Sequence, residues 1–226
     1  MAEHSPGDSN TSRHPKPFNG PENLVDSVVY SMLDHPIHAI NQRETMVSQA
    51  IDVLKHEHDA ILMALKILDQ ISDEARQGKA TSEDIMQFLG FLREFADTCH
   101  HGKEEGLLFP AMIEAGLPAD GGPISVMLSE HEQGRTFVSA MANAAEPAML
   151  PAKFSEAASA YAGHMRAHIE KENTVLFPMA DRIVASEVMD GLVSAFDRHE
   201  EEVMGSGRHE QLHDMLKELK VKYLES

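Results

Sequence analysis

Cysteine is almost absent from this chain: Cys99 stands alone among 226 residues. No internal disulfide can form, and a cysteine-based zinc site is excluded. Without a disulfide framework to tie the chain to an oxidising compartment, the cytoplasm is the expected location. Basic residues are also scarce, with 19 Lys and Arg against 37 Asp and Glu, for a formal net charge of −18. A general nucleic-acid binder needs basic patches to neutralise phosphates, so that class drops out. No run of about eighteen apolar residues occurs, so no membrane span is expected. The opening stretch "MAEHSPGDSNTSRHPKPFNGPEN" lacks a basic start followed by an apolar run and does not read as a secretory signal. Its Pro, Gly, Ser and Asn content reads as a flexible lead-in.

What is present is helical periodicity. In "AIDVLKHEHDAILMALKILDQISDEARQG", residues Ile51, Leu54, His58, Ile61, Leu62, Leu65 and Leu68 recur at steps of three and four, giving one apolar stripe, with Gly78 as a stop. "TSEDIMQFLGFLREFADTCHHGKEEGLLFP" opens on Thr81 or Ser82 with acidic residues in its first turn, and Pro110 comes at its end. "PISVMLSEHEQGRTFVSAMANAA" starts on Pro123, and "EPAMLP" breaks it. "KFSEAASAYAGHMRAHIEKENTVLFPMADRIV" is the fourth long segment, with Pro178 ending or kinking it. No period-two alternation marks a sheet. The expected fold is all-α, an up-down four-helix bundle over residues 45–185. Residues 1–44 are expected to form a flexible extension with one possible helix, "NLVDSVVYSMLDHPIHAI", ending before Pro36. Residues 186–226 form a C-terminal helical extension packed on the outside.

Fourteen histidines are many for this length, and some of them repeat. "HHGKEEGLLFP" (His100 to Pro110) returns as "HIEKENTVLFP" (His168 to Pro178), matching His100 with His168, Lys103 with Lys171 and Glu104 with Glu172. Glu57-His58 likewise matches Glu130-His131. Each half is thus one hairpin: a single His on its first helix, His-x-x-x-Glu and Leu-Phe-Pro on its second. A period this long, seen twice, is a duplicated hairpin and not a solenoid.

Residues four apart on a helix share a face, so His100 points with Glu104 and His168 with Glu172. Adding His58 and His131 brings four His and two Glu inward. Buried carboxylates and imidazoles are costly unless compensated, and two divalent cations would compensate them. A lone His on an apolar stripe is usually a core or surface His. Here the coincidence of two matched pairs, two matched single His and four helices outweighs that reading.

The sequence resembles the hemerythrin-like, or HHE cation-binding, proteins, through Glu57-His58, "CHHGKEEGLLFPAM", "GPISVMLSEHEQGR" and "HIEKENTVLFPMAD". The order His, His-x-x-x-Glu, His, His-x-x-x-Glu is that of the bacterial-type branch. It departs from respiratory hemerythrins, whose third helix carries a second His; here that place is Arg135, which cannot be a ligand. The resemblance implies a non-haem centre of two iron ions, oxo- or carboxylate-bridged, held by His58, His100, Glu104, His131, His168 and Glu172. His101-Glu105 has the same spacing but lies about 100° round an α-helix, and would face the site only with the register shifted by one. His164 sits one turn before His168 and could add a fifth imidazole, although the first hairpin has Ala96 at the matching place. His56 reads as solvated, and Tyr161 as a core tyrosine or a hydrogen-bonding neighbour of the site. The methionines fill the core, Cys99 is a buried small residue or a sensor, and the His209/His213 pair is a solvated tail helix short of further ligands.

The implied function is binding or sensing of a small diatomic such as O2 or NO. The alternative is a di-iron enzyme consuming peroxide or nitric oxide, or an iron donor in iron–sulfur repair. Typical repair proteins carry an extra N-terminal Cys-containing domain, and this chain has only Cys99. A ferritin-like carboxylate protein would use Glu-x-x-His, the reverse order. A bundle with no metal survives only if these His and Glu residues face solvent. No catalytic residue is assigned, and neither nucleic acid nor membrane is an expected partner.

Overall fold

The computed structural model describes residues 48–145 and 149–225. The helix expected before Pro36 lies outside them, as does half of the "EPAMLP" connection. Helix α1 spans Gln49–Arg76. Ser48 caps it, its Oγ accepting from the Ile51 N–H at 3.4 Å. It ends on Gly78, whose positive φ of 68° turns the chain away at no steric cost. α2 (Ser82–Phe91) starts on Thr81, whose Oγ1 accepts from the Asp84 N–H at 3.1 Å, with Glu83 and Asp84 in the first turn.

The second rod does not stop at Pro110. It continues without a break as π1 (Leu92–His101), π2 (Glu104–Leu108) and α3 (Phe109–Glu114). The N–H of Phe109 reaches back five residues to the carbonyl of Glu104, so the helix is widened just where the Pro110 ring would meet the preceding turn. The fourth rod repeats the device. α5 (Pro151–Lys171) passes through π3 (Glu172–Leu176) into α6 (Phe177–Ile183), and the Phe177 N–H bonds to the Glu172 carbonyl just before Pro178. α4 (Pro123–Ala145) is the third rod.

These four rods are the expected all-α bundle, and no strand occurs among the described residues. Two further helices, α7 (Ser186–Met204) and α8 (Arg208–Leu224), pack against it. α8 buries Leu212, Leu216, Leu219 and Tyr223 in the core that contains Ile61, Leu65 and Phe88. The Tyr223 hydroxyl and the Lys222 ammonium both donate to Asp84 Oδ2 at 2.6 Å. α7 buries Met189, Leu192 and Phe196 in a second apolar cluster with Ile51, Leu54, Leu108 and Phe177. His58 falls between the two clusters on the α1 stripe, after Leu54 and before Ile61. A polar layer is therefore sandwiched between two apolar ones, and the candidate site occupies it.

Candidate metal centre

All six residues expected as ligands are buried: His58, Glu104, His131 and Glu172 at 0% exposure, His100 and His168 at 1%. The solvent-facing arrangement required by a metal-free bundle is not what the chain adopts. Their donor atoms form two groups that share Glu104. One is His58, His100, Glu104 and Glu172. The other is His101, Glu104, His131 and His168, all within 4.8 Å of one another.

His101 thus enters the site beside His100, although on an α-helix adjacent residues diverge by about 100°. Both lie at the end of π1. A π turn takes more residues per revolution and brings neighbours closer in angle. The expected alternative, one register or the other, is replaced by both. His164 stays outside: its Nε2 lies 2.8 Å from the Glu130 carbonyl and it belongs to neither group. His56 is exposed. Tyr161 is buried in the core.

Each imidazole is held from behind by its Nδ1. His58 faces Asn173 Oδ1 at 2.9 Å, His100 faces Glu57 Oε2 at 2.9 Å, and His131 faces Glu105 Oε1 at 2.7 Å. His168 faces Glu130 Oε2 at 3.0 Å, and His101 faces Asp97 Oδ1 at 3.4 Å. Glu57, Glu105 and Glu130 are held below the usual carboxylate range: burial raises each, but the hydrogen bonds of His100, of His131 and Arg135, and of Lys171 and His168 outweigh it. An ionised carboxylate only accepts, so each Nδ1 opposite one carries the proton and its Nε2 presents a lone pair to the centre.

Inside the cage, acceptors then face acceptors. His131 Nε2 and His168 Nε2 are 3.1 Å apart. His58 and His168 Nε2 each lie 3.2 Å from Glu172 Oε2, and His131 Nε2 lies 3.4 Å from Glu104 Oε2. Both oxygens of Glu104, both of Glu172, and Nε2 of His58 and His101 have no hydrogen-bond partner. Desolvating a carboxylate costs several kcal/mol even after relaxation, while burying one Leu or Phe returns about 1.5–3 kcal/mol. The apolar walls offer these groups no hydrogen-bond partner, and cations between the lone pairs would offset the cost. The donor set fits metal: five imidazoles and two carboxylates converge in it.

Without a cation the cage titrates accordingly. Burial pushes His100 down to about 4 although Glu57 pulls it up, and burial with three neighbouring imidazoles holds His101 well below its ordinary value. Burial and the charge of Glu172 raise Glu104 far above the usual range, while the imidazoles of His131, His168 and His58 overcome burial and keep Glu172 ionised. Burial lowers His131, but Glu105 and Glu172 more than restore it.

The supports follow the duplication in a crossed pattern. Glu57 and Glu130 serve the second-helix His of their own hairpin, His100 and His168. Asn173 and Glu105 serve the single His of the opposite hairpin, His58 and His131. The phenylalanines of the two Leu-Phe-Pro motifs cross over too. Phe177 stacks on His58 with centroids 5.3 Å apart, and Phe109 on His131 at 5.9 Å. The motif is more than an apolar stop: it walls the site. The supporting roles of Glu57 and Glu130 went unread in the sequence, although their identical place before His58 and His131 carried the signal. Arg135, ruled out as a ligand, spans Asp97 at 2.8 Å and Glu105 at 2.7 Å. Beside it a cavity of about 230 Å³, lined by Leu92, Asp97, His101, Gly134, Val138 and Tyr161 among others, reaches His101.

No curated protein and no solved structure matches the chain. The family model of the hemerythrin HHE cation binding domain matches residues 49–180, which contain every side chain of the cage. The chain belongs to the hemerythrin HHE cation-binding family.

Proposed function

We propose that the cage holds two iron ions, ligated by His58, His100, Glu104 and Glu172 on one side and by His101, His131, His168 and Glu104 on the other. We propose further that the centre binds or senses a small diatomic such as O2 or NO. One observation carries the reading: six buried polar atoms on His58, His101, Glu104 and Glu172 converge without a hydrogen-bond partner. When bound, ferrous ions would supply the electrons and coordination positions with which such a ligand is held. The protein's own part is fixation and exclusion. Glu57, Asp97, Glu105, Glu130 and Asn173 hold the imidazole Nδ1 protons, and Phe109 and Phe177 keep water off the rings. The cavity at His101 supports a ligand of a few atoms, with peroxide as the other candidate of that size.

The test is anaerobic loading with ferrous iron, metal analysis, and optical spectra before and after O2 and after NO. Two irons per chain with a near-ultraviolet band that appears in air and bleaches on reduction supports the reading. One tightly held zinc, or an unchanged spectrum, overturns it. Sustained consumption of peroxide or NO would move the assignment from binding protein to enzyme.

A further inference from the structure

The two hairpins carry the same Glu-Lys-His arrangement in different surroundings. In the second, Glu130 bonds both His168 and Lys171, and the Lys171 side chain is 43% exposed, so water shares its charge. In the first, Glu57 bonds both His100 and Lys103, and the Lys103 side chain is 2% exposed. A dry ammonium with Glu57 as its only counter-charge would draw that carboxylate to itself and weaken its hold on His100.

Helix α7 changes this. Glu200 Oε2 lies 2.9 Å from Lys103 Nζ, and Glu200 Oε1 lies 2.6 Å from His209 Nδ1 on α8. The close approach is built into the bundle. A Cβ on Gly102 would stand 2.5 Å from Nε2 of His199, one residue before Glu200, and that Nε2 sits 3.2 Å from the Thr98 carbonyl. Residues 186–224 lie beyond the family match at 49–180, so this contact comes from outside the matched region.

We propose that Glu200 is a positioning residue for the metal centre. By sharing the Lys103 ammonium it leaves Glu57 free to hold His100, doing for the first hairpin what water does for the second. Helices α7 and α8 thereby act on the ion held by His58 and His100 and leave the other alone. The inference rests on the two-ion reading of the cage.

The experiment uses the full chain loaded anaerobically with ferrous iron. Glu200→Gln and Glu200→Asp are compared with wild type for iron release to a chromogenic ferrous chelator. Mössbauer spectra of the loaded proteins and urea unfolding of the metal-free ones accompany it. Expected for Glu200→Gln is one iron released about tenfold faster, the other at the wild-type rate, and one of two Mössbauer doublets shifted. Glu200→Asp should restore the slow phase. Two irons in wild type with unchanged release from Glu200→Gln overturns the role alone. Both irons accelerated alike, in step with a loss of metal-free stability, also overturns it, because Glu200 would then only hold the fold. A wild-type chain that binds fewer than two irons overturns the cage reading and this role with it.

Discussion

The two hairpins of the bundle are one design in two environments. Each sets a single His, a His-x-x-x-Glu and a Leu-Phe-Pro around a shared cage, and each braces its second-helix His with a Glu that also bonds a Lys. Three of the contrasts between matched positions bear on the cage. His101 stands where the second hairpin has Ile169, Glu105 stands where it has Asn173, and Lys103 is dry where Lys171 is wet. Pseudo-symmetry makes two adjoining donor groups, and the departures make them unequal: three imidazoles in one, two in the other. The duplication therefore explains why the donors form two groups, and the differences predict that two ions held as proposed would not behave alike.

The largest effect should come from the residue both sides share. Glu104→Ala removes a ligand from both groups, so iron bound per chain should fall from two to less than one. His101→Leu breaks only the asymmetry and should leave one iron in place. Metal analysis after gel filtration separates the two outcomes, and equal loss in both variants would show that the sides are not distinct.

The next comparison needs no metal. Lys103→Met leaves Glu57 and Glu200 facing each other without their cation and should destabilise the metal-free protein by about 3–5 kcal/mol. Lys171→Met removes a half-exposed partner and should cost no more than about 1 kcal/mol. Urea unfolding of the two variants checks the ratio. Comparable losses would mean that burial by α7 does not set the value of the lysine.

The smallest effect concerns the acceptors behind the single His residues. Glu105→Gln puts an amide behind His131, as Asn173 is behind His58, and should weaken iron affinity by about tenfold on the three-imidazole side. Asn173→Asp should move the other side the opposite way. Competition with a chelator of known affinity measures both.

Much of this was legible beforehand. The 3.6-residue stripe on α1, the Thr81 cap, the Gly78 stop and the start at Pro123 rest on local physics and appear where expected. So does the convergence of His58, His100, Glu104, His131, His168 and Glu172, because i, i+4 spacing decides facing within a helix. The rod that runs past Pro110 and the entry of His101 beside His100 were not legible. Both come from π turns, which periodicity at 3.6 residues cannot register. Nor were the bonds from Glu57 to His100 and from Asn173 to His58 legible, since they span 43 and 115 positions.

By itself the sequence determined the helices, the duplication and the facing of six of the seven cage residues, because capping, amphipathic spacing and the His-x-x-x-Glu interval act within a few residues. Tertiary structure alone decided which Glu braces which His, that Lys103 is dry while its twin Lys171 is wet, and that α7 brings Glu200 against Lys103. Those outcomes depend on which surfaces exclude water when distant helices meet, and no local interval encodes that.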